Sequence, residues 1–530
     1  MPLWYLLTIF PLLYGVTPAY ADNLGDCGLT ADAASCSKIE NLSQLGMPIV
    51  ESISRDFTEF NEAIRKNPND ANAYHGRGKA YFDLRLYNVA IADFDRAIRL
   101  EPDNGSFYVD RGNAYFEKGE FDRAAEDYNE AIRLNPNSDD AYVRRARIFL
   151  NIGEFTRAIA DYDEAIRLNP DAANAYFGRG HINYQIGAYD RAVADYNELI
   201  RLRPDESSAY MNRGNSYDNL GDHDRAIADY DQAIRLQPDN LEGYYNRGLA
   251  SYRKDDFDRA IADYDEAIRL NPDLAVAYHR RGLAHYRKDD FDRAIADYDE
   301  AIRRNPDDAT TYFDRGLAHV DKGDYERAIS DYAEAGRLNP GETAAHYNRA
   351  TLTYQIGNFD ETVTAINKLL ESDPTDPDAL YLRGLAQLSL DAPANAVSDF
   401  RRVVRMNPAD AQAVLWRDIA ERRDGWLGQL GRAVFSLDME QWPAPIVRFF
   451  LGQSQADDVI AAAEDKDPKV QQHQLCEAHL FIGEHALLAG DKAEAEHQFE
   501  LARDTCNKNY LEYGIALAEL RRLNADKGNY

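Results

Sequence analysis

The side chains best suited to bind a metal or move a proton are six histidines: His279, His285 and His319 in mid-chain, and His473, His479 and His485 near the end. Their closest spacings are six residues. Facing neighbours on a helix lie three or four apart, so such pairs do not share a face. No Gly-rich phosphate loop, GxSxG or HExxH occurs, and paired acids such as Asp255-Asp256 fall in turns, where solvation accounts for them. The expectation is a non-enzyme with no catalytic residue, no metal and no cofactor.

Four cysteines form an N-terminal pair, Cys27 and Cys36, and a C-terminal pair, Cys476 and Cys506. Neither has the CxxC-type spacing and convergent histidines of a zinc site. In an oxidising compartment they are expected to be two disulfides. Arginine is more regular. Arg77, Arg111, Arg145, Arg179, Arg213, Arg247, Arg281, Arg315, Arg349 and Arg383 recur at a fixed interval and could form a ladder for an acidic ligand. Most have an aspartate sixteen residues later, from Asp93 to Asp331. In an antiparallel helix pair each Arg would face its Asp, a partly buried pair that sets register and is unavailable to ligands.

Those elements are dictated by an X-Pro step that returns every 34 residues from Pro68 to Pro408 without insertion or deletion. The stretch "YRKDDFDRAIADYDEAIRLNPD" at Tyr252 recurs from Tyr286 with one change, Leu270 becoming Arg304. Within one period Tyr278, Gly282 and Tyr286 mark one amphipathic helix, and Ala294, Ile295, Tyr298, Ala301 and Ile302 a second. Asp289-Asp290 separates them and Asn305-Pro306 ends the second. This pattern resembles the tetratricopeptide repeat. The resemblance covers ten units from Ala71 to Asp410, plus a half-unit holding Phe57, Phe60, Ala63 and Ile64. It implies an all-α, right-handed superhelical solenoid of helix hairpins with a helical C-terminal cap.

In that family the concave face is lined by the second, fifth, ninth, twelfth and thirteenth residues of each unit. Early units place Asn72, His75, Lys79, Asn113, Asn174 and Asn215 there. Later ones place Tyr245, Tyr252, Arg253, His279, Tyr286, Arg287, Phe313, Tyr347, Tyr354 and Tyr381, an aromatic stripe with two arginines that suits an extended peptide or a partner helix. The competing reading makes some of these aromatics core, because Ser251, His285, His319, Thr353 and Gln387 stand where the core aromatic is usual.

Residues 411–530 break the period, and "QWPAPIVRFFLG", a hairpin containing Gly483, Gly490 and Phe499, and "YLEYGIALAEL" resemble the C-terminal part of the bacterial new lipoprotein I family. That resemblance implies an envelope adaptor that presents a periplasmic protease and cell-wall hydrolases to one another. A structural scaffold for secretion or polysaccharide export is the alternative. A peptidoglycan-processing enzyme is a third, with its site in 411–530.

Sixty Lys+Arg against ninety-one Asp+Glu give a net charge of -31, which repels phosphate backbones and anionic headgroups and argues against nucleic acid. Residues 1–21, uncharged and apolar from Leu3 to Val16 with Ala19-Tyr20-Ala21 at the end, read as a cleaved signal peptide. The expected product is exported, to the periplasm of a Gram-negative bacterium, with no membrane span after cleavage. The expected organisation is 1–21 signal, 22–48 Cys-containing segment, 49–410 solenoid and 411–530 C-terminal module. A homodimer is compatible with it.

Overall fold

Several repeats begin where a short polar side chain caps a helix. Asp70, Ser138, Asn240 and Asp308 accept backbone N–H groups of Ala73, Ala141, Gly243 and Thr310, satisfying donors that the first helical turn leaves open. Asp256 and Asp290 do the same for second helices. The turn between helices needs a left-handed residue. Gly119 and Gly153 supply it in early repeats, and Asp255 and Asp289, with φ of 58°, hold that conformation in later ones.

This structure is a computed structural model that describes residues 48–508 and 510–527. The signal segment and the Cys27 and Cys36 pair lie outside those residues. All elements among the described residues are helices, and they fall into two compact units that divide after Pro238. The first holds a helix Pro48–Lys66 and five hairpins, from Ala71–Asp83 with Tyr87–Leu100 to Ser207–Asn219 with His223–Leu236. The second holds five more, from Leu241–Arg253 with Phe257–Leu270 to Pro377–Ser389 with Pro393–Met406, and then the tail. The expected solenoid of hairpins is the fold of each unit.

Within a hairpin the two helices meet over a glycine and an aromatic ring. A Cβ on Gly282 would lie 2.8 Å from Cε1 of Tyr298, a separation real contacts do not reach, so only glycine permits this approach. Tyr128, Tyr162, Tyr196, Tyr230, Tyr264, Tyr298 and Tyr332 fill the same place in successive repeats and are almost wholly buried. Successive first helices, such as Leu241–Arg253, Ala275–Arg287 and Ala309–Asp321, touch one another, whereas second helices make no comparable contact. Each array therefore curves toward its first helices, whose outward side chains form an inner face.

The tail is welded to the last repeats. Helices Ala411–Arg423, Ala444–Phe450 and Ala456–Ala462 lead to a hairpin, Pro468–Leu488 with Lys492–Thr505, and a terminal helix Leu511–Lys527. One hydrophobic core joins them to the preceding repeats, running from Ala350 and Leu380 through Trp416 and Phe481 to Phe499 and Leu523.

Candidate functional site

The arginine ladder is structural. Arg111, Arg145, Arg213 and Arg315 each fork onto the aspartate sixteen residues later, at 2.6 to 2.7 Å for Asp127, Asp161, Asp229 and Asp331. The remaining guanidinium nitrogen reaches back to the previous hairpin, Arg111 to Asp95 at 2.6 Å and Arg145 to Asn129. Each Arg thus ties its own hairpin and locks it to its neighbour. Arg349 lacks the aspartate, since Ala365 stands there, and takes Glu361 instead. His285 and His319 sit against this ladder, 3.9 Å from Asp297 and Asp331, and burial pushes both imidazoles below their ordinary range despite those carboxylates. No three His, Cys, Asp or Glu side chains converge as metal ligands among the described residues.

The aromatic stripe divides into three groups. Tyr245, Tyr252, Tyr286 and Phe313 are half-buried on first helices, with Tyr286 and Phe313 packed against the local cores around Tyr298 and Tyr332; Arg253 and Arg287 are exposed, and Tyr347 is 39% exposed. Tyr252 and Tyr286 lean on Phe257 and Phe291, ring centroids 5.5 and 5.6 Å apart, and Arg287 lies over the Tyr252 and Phe257 rings. The Tyr286 hydroxyl donates to Asp321, and burial together with that bond pushes it up to about 12. His279 is buried, with Nε2 2.7 Å from Asp314 Oδ2.

Tyr354 corrects the expectation. It is 0% exposed, a core residue and no part of an open groove. The terminal helix packs across first helices Thr343–Gln355 and Pro377–Ser389, and a Cβ on Gly514 would lie 2.9 Å from the Tyr354 ring. Tyr381 is packed against the same core. In the last two repeats the inner face is therefore filled by the chain's own terminal helix. Arg423, buried between Glu484 and Glu519, and Arg522, 3.0 Å from Asp391, hold that helix down.

Cys476 and Cys506 form the expected disulfide, Cα atoms 4.8 Å apart, joining the two helices of the tail hairpin just before the terminal helix. The sequence reading missed Arg144. It lies off the 34-residue register of the ladder, which was its only signal. Arg144 and Tyr128 both donate to Asn113 Oδ1 at 2.8 Å, beside a cavity of about 310 Å³ that Phe82, Phe116 and Arg147 also line.

Models of the tetratricopeptide repeat match residues 75–139, 143–207, 211–275 and 279–343, and further models of the same repeat match 319–388 and 377–410. The chain is a tetratricopeptide-repeat protein. These matches end at residue 410, and nothing in them supports the likeness of the tail to the new lipoprotein I family. Solved repeat proteins similar to this one include YrrB, described as having an unusual peptide-binding site, at 24% identity over 35% of this chain and 96% of its own, TM-score 0.34. MamA from Desulfovibrio magneticus is 20% identical over 32% of this chain and 96% of its own, TM-score 0.31. The C-terminal part of a repeat protein from Cytophaga hutchinsonii is 18% identical over 44% and 96%, TM-score 0.40. No curated protein matches the chain. As a repeat protein it has the architecture of a protein-interaction scaffold. No helix among its described residues is long and apolar enough to cross a membrane.

Proposed function

We propose that this repeat protein is a non-catalytic adaptor of the bacterial cell envelope that captures a protein or peptide client on its inner face, with a periplasmic protease or cell-wall hydrolase as the client class. One observation carries the reading. The recurring tyrosines and the ladder arginines are consumed in packing and pairing, whereas Tyr245, Tyr252, Tyr286 and Phe313, which do not recur through the whole array, stay partly exposed on first helices. The uncharged N-terminal segment and the Cys476–Cys506 bridge support export to an oxidising compartment.

The test is capture from an envelope extract with the full chain and with Tyr252→Ala plus Tyr286→Ala. A protease or hydrolase held by the first and lost from the second, at a temperature where circular dichroism shows both chains still folded, supports the adaptor. Secretion or polysaccharide-export components would replace it with the scaffold reading. Identical capture by both chains would overturn the inner face as the binding surface.

A further inference from the structure

The cavity beside Arg144 is built by the first helices of three successive repeats, Ala71–Asp83, Gly105–Glu117 and Asp139–Asn151, which touch one another in turn. They contribute Phe82, then Phe116 and Glu117, then Arg144 and Arg147, while Tyr128, 1% exposed, lines it from a second helix. Its volume of about 310 Å³ is that of a small ligand pocket. Arg147 and Glu117 are exposed, so it opens to solvent. All of it lies in the first unit, whereas Tyr252 and Tyr286 belong to the second.

Here the repeat departs from itself. At the twelfth position of the unit phenylalanine stands only in the first two repeats, as Phe82 and Phe116, and at the ninth position arginine stands only in the third, as Arg147. The ladder runs through the seventh position and needs none of them. Arg147 makes no ion pair among the described residues, in a chain with ninety-one acidic residues, and its guanidinium lies over the Phe116 ring, 4.9 Å from the centroid. Arg144 donates through Nε to Asp140 and through Nη1 to Asn113, and its Nη2 makes no hydrogen bond among the described residues. Asn113 Oδ1 already accepts from Arg144 and Tyr128. What the cavity still offers is guanidinium N–H groups between phenyl rings, with the Glu117 carboxylate at its edge.

We propose that this cavity is a subsite for an aromatic residue of a polypeptide client that carries a carboxylate beside its ring. Phe82 and Phe116 give the ring apolar walls to pack against edge to face, and Arg144 and Arg147 give the carboxylate its donors. A guanidinium stacked on a ring keeps its edge N–H groups available, so Arg147 serves both parts of the ligand. Glu117 is the one carboxylate among the lining residues and disfavours a second acid. The ligand class rests on the chain being a client-binding scaffold, but the site does not use Tyr252 or Tyr286. An acidic side chain next to the ring and a chain-terminal carboxylate on the aromatic residue itself offer the same group.

The experiment follows the Arg144 and Arg147 Nε–Hε resonances of the full chain during titration with four probes. Acetyl-glutamyl-phenylalanine amide carries a ring and a side-chain carboxylate, and acetyl-phenylalanine a ring and a terminal one. Acetyl-glutaminyl-phenylalanine amide keeps only the ring, and acetyl-glutamyl-alanine amide only the carboxylate. A saturable shift is expected with a probe that has both groups, about tenfold weaker with either group alone, and the tighter of the first two names the source. Arg147→Met keeps the aliphatic stem on Phe116 and should weaken binding about tenfold, read on the Arg144 resonance. Arg157→Met, which removes an exposed guanidinium stacked 3.9 Å from the Phe149 centroid and outside the cavity, should change nothing. Glu117→Gln should tighten binding about threefold, a gain that loss of folding cannot produce.

No saturable shift with either probe that has both groups, equal binding of a probe that lacks one, an Arg147→Met chain that binds as well as Arg157→Met, or weaker binding by Glu117→Gln would overturn the subsite. If the probes fail while Tyr252→Ala with Tyr286→Ala still abolishes client capture, the scaffold reading stands and the subsite alone falls. If the probes bind as expected while that double variant captures the client undiminished, the subsite stands and the Tyr252 surface falls.

Discussion

Tyr252 and Tyr354 occupy the same position of their repeats, yet they are different residues physically. Tyr354 is 0% exposed beneath the terminal helix, while Tyr252 is half-buried beside Phe257. Tyr354→Ala should therefore cost about 3–5 kcal/mol, since it removes a buried ring and leaves a cavity. Tyr252→Ala should cost roughly 1–2 kcal/mol, in proportion to the smaller apolar area it uncovers. Denaturant titration of the two single variants measures both, and equal losses would refute the distinction. The ladder gives a second contrast. Arg281→Met strands the buried Asp297 and should destabilise by about 3 kcal/mol or more, because an uncompensated buried charge is left behind.

At the scale of the element, the terminal helix Leu511–Lys527 and the hairpin before it form a clasp. The Cys476–Cys506 bond closes a span of 30 residues, and its reduction should remove about 3–4 kcal/mol from the tail by freeing the unfolded chain. Comparing melts with and without reductant checks this, and no change would mean that the core alone holds the tail. The clasp also titrates. Burial is the main cause pushing Glu477 and Glu484 up to about 7, outweighing the donors Trp442 and Gln412 on the first and Arg423 on the second. A raised carboxyl pKa favours the protonated fold, so this stability is fully present below about 4.5 and is lost as pH rises through about 7. Glu484→Gln cannot ionise. Its stability relative to the parent chain, measured by denaturant titration, should rise between pH 5 and 8 by an amount on the order of 2 kcal/mol. A difference independent of pH would count against the buried charge.

For the molecule as a whole, stability should be uneven along the chain. Ordinary repeats bury small local clusters, such as Tyr162 with Phe149 and Ile182, whereas one core runs from Ala350 to Leu523. Arrays of nearest-neighbour repeats open locally, so amide exchange should be slowest in the helices between Ala350 and Leu523 and faster in the hairpins before them. Uniform protection would show that the repeats behave as one cooperative block.

The 34-residue period by itself determined the helix hairpins, their turns, and the pairing of Arg with the Asp sixteen residues later, because each of these is an interaction within a repeat or with its neighbour. The Cys476–Cys506 bridge was legible for the same reason: both residues lie in one hairpin. What the period could not decide was the fate of a position once a distant segment lies on it. Tyr354 looks like Tyr252 in the sequence, and only the return of a helix more than 150 residues away makes one core and leaves the other accessible. Repetition encodes local contacts. Burial by a non-repeating segment is a long-range event, and tertiary structure alone settles it.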